Sequence, residues 1–248
     1  MAHRCYLEKI PTVAGEQLAI EGEEAHHLIQ VLRIKVGDAL TLHDGKGGVA
    51  EAQVEQVNRR DLLVRVGEIN QVPRPDARIT LIQAVPKGKR LDLVLQKAVE
   101  LGVQEIVLVQ TTNVVSRVKP SAFPAKLERW NQILVAALKQ SGNPWLPNLA
   151  LRDDWEAVIQ EQAAANDAVL LGDLSPEADC LKEILVRLAA GDSSTIACAI
   201  GPEGDFTSEE TEQAKKAGCI SINLGPRVLR TETAALYMMS VLAYEFLN

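Results

Sequence analysis

Up to about residue 70, apolar and polar positions alternate. Ala39–His43 and residues 49–57 put every second side chain on one apolar face, the period of a half-buried strand. The Asp44-Gly45-Lys46-Gly47-Gly48 run between them predicts a hairpin turn rather than a phosphate cradle, because strands flank it on both sides. Residues 61–66 predict one more strand. Residues 23–33 have helical spacing, with Glu23 and Glu24 in the first turn and Arg33 at the end, as the helix dipole favours. Short strands closing on a small helix predict a compact β-barrel.

The pattern changes after residues 70–76, where Pro73 and Pro75 mark a linker. Residues 78–85, Glu105–Val109, residues 168–171, Thr195–Ile200 and residues 219–224 are apolar nearly throughout, as strands buried on both faces are. Helices are predicted between them at residues 92–101, closed by Gly102, then at 126–139 and Leu181–Ala190. Thr207 and Glu210 have capping-box spacing, and a last apolar helix starts after Thr231. The alternation predicts an α/β domain with a largely parallel sheet covered by helices, at residues 73–248, after a small β domain at 1–72.

Composition narrows the class. The chain has 248 residues, 47% apolar and 24% charged, as soluble globular proteins do. Residues 1–10 are too polar for a secretory signal, and the longest apolar run, 233–247, is shorter than the roughly 20 residues of a membrane span, so a cytoplasmic protein is expected. Cys5, Cys180, Cys198 and Cys219 show neither paired spacing nor a nearby histidine, which predicts buried thiols, no disulfide framework and no metal. A net charge of -7 argues against a surface coated in nucleic acid but leaves room for a local basic patch. His3, His26, His27 and His43 all lie in the first fifth of the chain, so chemistry seated later runs without a histidine base.

Ligands of open α/β sheets sit beyond the carboxyl ends of the strands. Three exits carry unusual residues: Leu171-Gly172-Asp173, Gly201-Pro202-Glu203-Gly204-Asp205-Phe206, and Leu224-Gly225-Pro226-Arg227-Val228-Leu229-Arg230. No Walker loop, G-x-G-x-x-G or G-x-S-x-G occurs. A ligand here is held by backbone and apolar contacts. Arg227 and Arg230 keep their charge and must be solvated, paired or reserved for an anionic group.

Ile200-Gly201-Pro202-Glu203-Gly204 followed by Leu224-Gly225-Pro226-Arg227-Val228-Leu229-Arg230-Thr231-Glu232-Thr233-Ala234 resembles the bacterial 16S rRNA (uracil-N3)-methyltransferases, the ribosomal RNA small subunit methyltransferase E family of the SPOUT class. The likeness extends to His26-His27-Leu28, Val31-Leu32-Arg33 and Gly37-Asp38, similar to that family's N-terminal PUA-like RNA-binding barrel. It includes Pro86-Lys87-Gly88, Gln96 to Gly102, Arg129-Trp130 and Gln140-Ser141-Gly142. It implies S-adenosylmethionine as methyl donor, a deep trefoil knot, a homodimer built on the C-terminal domain, and 16S rRNA of the small ribosomal subunit as substrate. By motif match it implies cofactor contacts at Leu171, Gly172, Ile200, Gly201, Glu203, Gly204, Leu224, Gly225, Val228 and Leu229. Two positions depart from the family pattern: Asp205 stands where glycine is usual, and Asn143 where arginine is usual, with Lys139 as a replacement RNA contact.

Methylation of uracil N3 needs the donor methyl in line with the nitrogen and leaves negative charge on the uracil carbonyls as the proton departs. Arg230 is the candidate catalytic group for that charge, and Arg227 a second cation for the same site, a phosphate or a partner subunit. Glu203 and Glu232 are candidate proton acceptors. Because N3 lies on the Watson–Crick edge, the base must be unpaired or flipped. Arg33, Lys87, Arg90 and Arg227 are candidate RNA contacts, with Arg4 and Lys89 beside them. Competing readings are another SPOUT enzyme, acting on ribose 2'-O or pseudouridine N1, and a non-catalytic RNA-binding assembly protein.

Overall fold

The computed structural model describes residues 3–247 apart from Ser116 and Asp192. Two compact units emerge: one runs to Arg74 and takes in Leu138–Leu146, the other comprises Pro75–Ala137 and the chain from Pro147 onward.

The first unit is a five-stranded sheet of β1 (His3–Tyr6), β2 (Gln17–Ile20), β3 (Ala39–His43), β4 (Gly48–Val57) and β5 (Leu62–Gln71), ordered β1-β3-β4-β5-β2. The predicted hairpin is the antiparallel β3–β4 pair. Two register shifts in the β4–β5 ladder bend the sheet about a core of Leu28, Leu40, Leu42, Val54 and Val64. The helix expected over 23–33 is instead a short α1 (Gly22–His26) that widens into a π-helical turn, His27–Val31, and Arg33 follows with a left-handed φ of 53°. The glycine-rich turn seats the added segment: Gly47 N–H donates to the Pro144 carbonyl at 3.0 Å, and a Cβ at Gly47 would stand 2.4 Å from the Trp145 ring. That segment also explains three residues singled out above. Arg4 donates to the carbonyls of Lys139 and Gln140, Lys139 pairs with Glu24 at 2.5 Å, and Asn143 accepts the Trp145 N–H at 2.9 Å. These side chains brace their own unit, so Lys139 does not stand free as a replacement RNA contact.

The second unit is a seven-stranded sheet of β6 (Arg78–Ala84), β7 (Glu105–Val109), β8 (Asn148–Arg152), β9 (Ala168–Gly172), β10 (Asp179–Cys180), β11 (Thr195–Ile200) and β12 (Ile220–Asn223). The order is β10-β12-β9-β11-β6-β7-β8 and the pairings are parallel. Ile79, Leu81, Ile106, Leu108, Leu170 and Ile196 are fully buried, as apolar strands covered on both faces require. The helices are α2 (Arg90–Glu100), α3 (Phe123–Ser141), α4 (Trp155–Ala165), α5 (Leu181–Ala190), α6 (Ser208–Lys216) and α7 (Thr231–Phe246). The capping box of Thr207 and Glu210 forms as expected, and Glu210 further accepts the Thr112 N–H at 2.7 Å. Helix α7 packs on α2, α5, β6 and β11, burying Ala235, Met238, Met239 and Leu242 while Tyr237 and Tyr244 stay exposed. Cys5, Cys198 and Cys219 are buried, but Cys180 is exposed at the short β10, against the expectation that all four serve as core. Among the described residues no helix is long and apolar enough to cross a membrane.

Strand order reverses beside β6: β7 and β8 lie to one side of it, β11, β9 and β12 to the other. Such a switch point opens a crevice at the carboxyl ends of the strands. The exits of β9 and of its two neighbours, β11 and β12, come together on the β11 side of that point.

Candidate functional site

A cavity of about 390 Å³ lies at these three exits, within the range of roughly 300–1,000 Å³ of small-molecule sites. Its walls are Gly172, Asp173 and Leu174 after β9, Ile200, Gly201, Pro202, Glu203 and Asp205 after β11, and Asn223 through Glu232, except Pro226, after β12.

The sequence explains why the backbone comes so close. A Cβ on Gly201 would stand 2.7 Å from Asp205 Oδ1 and 3.3 Å from the Phe206 nitrogen. Gly225 has a φ of 115°, and its N–H is held by Asn223 Oδ1 at 2.7 Å, so the turn into the second loop depends on glycine. Behind the cavity, Gln83 on β6 is fully buried. Its amide donates to the Thr231 hydroxyl at 3.0 Å, and that hydroxyl donates to the Gly201 carbonyl at 2.6 Å. One side-chain chain therefore joins the central strand, the first turn of α7 and the β11 loop. A buried, hydrogen-bonded network of this kind fixes the relative positions of the parts it joins.

Charge is arranged unevenly. The Arg90 guanidinium forms an ion pair with Glu203 and approaches Glu232 at 3.4 Å. Glu203 also accepts the Lys87 N–H at 3.0 Å. Burial alone would raise the Glu203 carboxyl, but the backbone N–H groups of Glu203 and Lys87 and the Arg90 guanidinium outweigh it and hold it below the usual carboxylate range. A carboxylate held in this way is a poor proton acceptor. Arg227 and Arg230, by contrast, are exposed on the rim. Arg230 caps α7 with its backbone extended, so its position is set by the helix start while its side chain projects from it.

Of the residues singled out from the sequence, Gly172, Ile200, Gly201, Glu203, Leu224, Gly225, Val228, Leu229, Arg90, Arg227 and Arg230 line this one cavity. Leu171 is buried in β9 and Gly204 is turned toward Asn113, and both lie outside the lining. Lys87 borders a shallower hollow with Lys89, Leu93, Arg90 and Glu232. Arg33 is exposed in the other unit. Sequence reasoning marked Asp173 only as part of a loaded strand exit and passed over Leu174 as lining and Gln83 and Thr231 as supports. Gln83 carries a signal after all: it is a lone amide within the apolar run of residues 81–85.

Known proteins resemble this chain along nearly its whole length. A family model described as an RNA methyltransferase domain matches residues 73–243, and one described as an RNA methyltransferase PUA domain matches residues 20–67. A ribosomal RNA small subunit methyltransferase E from Mycobacterium bovis is 32% identical over 93% of this chain and 87% of its own length. The Bacillus subtilis protein of that name is 28% identical over 96% of this chain and 92% of its own. Among solved structures, a putative methyltransferase from Legionella pneumophila, in complex with the bound cofactor SAM, superposes with a TM-score of 0.89 at 30% identity, covering 98% of both chains. A ribosomal RNA small subunit methyltransferase E from Neisseria gonorrhoeae bound to S-adenosyl methionine gives 0.86 at 28% identity, again over 98% of both chains.

Proposed function

The chain belongs to the ribosomal RNA small subunit methyltransferase E family of RNA methyltransferases, and from that premise we propose that it methylates N3 of a uridine in 16S rRNA. The observation that carries the reading is the single cavity in which both Gly-Pro loops and Arg230 converge.

The cavity suits S-adenosylmethionine. It is large enough, Leu174, Ile200, Leu224, Val228 and Leu229 give it apolar walls, and Gly172 and Gly201 lie on its lining, where glycine lets the strand exits pack tightly on their neighbours. When bound, that cofactor supplies an activated methyl group on a sulfonium. Leu171, Gly172, Ile200, Gly201, Gly204, Leu224, Gly225, Val228 and Leu229 form the surround that orients it and excludes water. Glu203 serves this surround through Arg90, which its carboxylate shares with Glu232. Arg230, fixed at the start of α7, faces the uracil and stabilises negative charge on its carbonyl oxygens as the N3 proton leaves. Arg227, Lys87 and Arg33 contact RNA phosphates, with residues 1–72 as the RNA-binding domain and 73–248 as the catalytic one, apart from Leu138–Leu146, which packs with the first unit. A trefoil knot in the C-terminal domain, a homodimer that covers Tyr237 and Tyr244 of α7, and a cytoplasmic location complete the proposal.

Incubation with S-adenosylmethionine and small subunits that lack the modification tests it. Methylation of N3 blocks base pairing, so reverse transcription across the 16S rRNA is expected to acquire one new stop that depends on enzyme and cofactor. Read-through unchanged along the whole 16S rRNA would rule the reading out.

A further inference from the structure

Two acidic residues line the cavity without a part in the reading above. Asp205 has a left-handed φ of 58°, a conformation most side chains avoid. Its Oδ1 accepts the Phe206 N–H at 2.8 Å, while the backbone around it is pinned by Asn113, which donates to the carbonyls of Gly204 and Asp205 at 3.0 Å each. Asp173, at the exit of the neighbouring strand β9, is nine-tenths buried, with 10% of its side chain exposed. Its Oδ1 accepts the Ser175 N–H, and its Oδ2, buried without a hydrogen bond, forms an ion pair with Lys215 at 3.8 Å. Burial first, and then the charge of Asp173, push the Asp205 carboxyl up, only partly offset by the Phe206 N–H. This end of the cavity therefore holds one half-buried carboxyl, Asp205, raised by burial and by the charge of Asp173, whose own carboxyl, despite its burial, is held low by the Ser175 N–H and Lys215. The nearby Arg90 is already shared between Glu203 and Glu232.

Resting on the cofactor reading, we propose that Asp205, backed by Asp173, accepts the α-ammonium group at the methionine end of S-adenosylmethionine and so selects ligands that carry it. A full positive charge with several N–H donors is the partner that best relieves a half-buried carboxyl beside a second negative charge. The sulfonium is the other cation of the cofactor, but a carboxylate placed there would stabilise a charge that disappears during transfer and would slow the reaction. The ammonium keeps its charge throughout. The contact therefore serves binding of donor and product alike and leaves the chemical step untouched.

Calorimetry with three ligands tests this. S-adenosylmethionine and S-adenosylhomocysteine carry the ammonium, and 5'-methylthioadenosine lacks it while keeping the adenine and ribose. Asp205→Asn is expected to weaken the first two about tenfold, the size of one charge-assisted hydrogen bond, and to leave the third unchanged. Asp205→Gly should show the same pattern and melt no lower than the wild type, since glycine suits the backbone here, which separates a lost contact from a lost fold. Equal weakening of all three ligands would place the carboxylate at the ribose and overturn the proposal, as would unchanged binding of all three. Failure of the wild-type protein to bind S-adenosylmethionine would instead defeat the cofactor reading on which the proposal rests.

Discussion

The loops at 201–205 and 225–230 leave strands on either side of β9, both begin Gly-Pro, and both line the same cavity, yet they are built oppositely. The first is held at almost every residue: Gly201 by Thr231, Glu203 by Arg90 and the Lys87 N–H, Gly204 and Asp205 by Asn113. Gly201 and Pro202 are buried. The second is tied at Gly225 by Asn223 and at its far end by the start of α7, and between them Val228 is 77% exposed. A pinned loop suits a ligand that must be held in one shape. An exposed loop bearing two arginines suits a large anionic substrate that arrives from solution. The same Gly-Pro signature thus serves two duties, distinguished by what surrounds it.

The sharpest way to break this division is Arg230→Ala. It should lower kcat by roughly 10²- to 10³-fold, as loss of a charge-stabilising donor does, while calorimetry finds S-adenosylmethionine bound as in the wild type. Loss of cofactor affinity instead would merge the two duties. Next in size, Thr231→Val removes the hydroxyl that links Gln83 to the Gly201 carbonyl and leaves buried polar groups unpaired. Urea denaturation should show a loss of about 1–3 kcal/mol, accompanied by weaker cofactor binding.

The tie at Glu203 is tested by pH. Its folded-state pKa is depressed, so its stabilising contribution is present above the unfolded value and is lost as pH falls through the folded one. Glu203→Gln should therefore be less stable than the wild type near neutrality, by about 1 kcal/mol, with the gap closing below the ordinary carboxylate pKa of about 4.3. A gap constant across the acid range in denaturant midpoints would show that the ion pair does not pin the loop. The smallest effect is expected at the exposed loop, where Asn223→Ala removes only the hydrogen bond to Gly225. A change in thermal stability equivalent to about 0.5 kcal/mol or less would agree with its loose build.

Which parts of this were legible in the sequence follows from where the information sits. The strands β6, β7, β9 and β11 are apolar on both faces, and their burial is written in consecutive residues. The capping box at Thr207 and Glu210 is equally local. By contrast β1 and β2, four residues each, are too short to show a period. The β8–α4 segment passed unread because β8 is a half-exposed strand at the sheet edge and α4 follows it almost at once, its start marked only by the Asp154 cap. The three exits of the site could be read from glycines and arginines in place. Their supports could not: Arg90 and Glu203 lie 113 positions apart, and Gln83 and Thr231 lie 148 apart, so only the folded sheet brings them together. Asp205 shows the reverse case, a residue conspicuous in the sequence whose meaning depended on its left-handed backbone and on Asp173 across the strand exits.

The central claim is that Arg230 and the cavity beside it methylate the Watson–Crick edge of a uridine. Its most direct test is the identity of the product nucleoside: small subunits lacking the modification, incubated with enzyme and methyl-labelled S-adenosylmethionine, are digested and their nucleosides separated by chromatography with mass spectrometry. The label is expected in 3-methyluridine from the 16S rRNA; label in a 2'-O-methylated nucleoside or in N1-methylpseudouridine would contradict it.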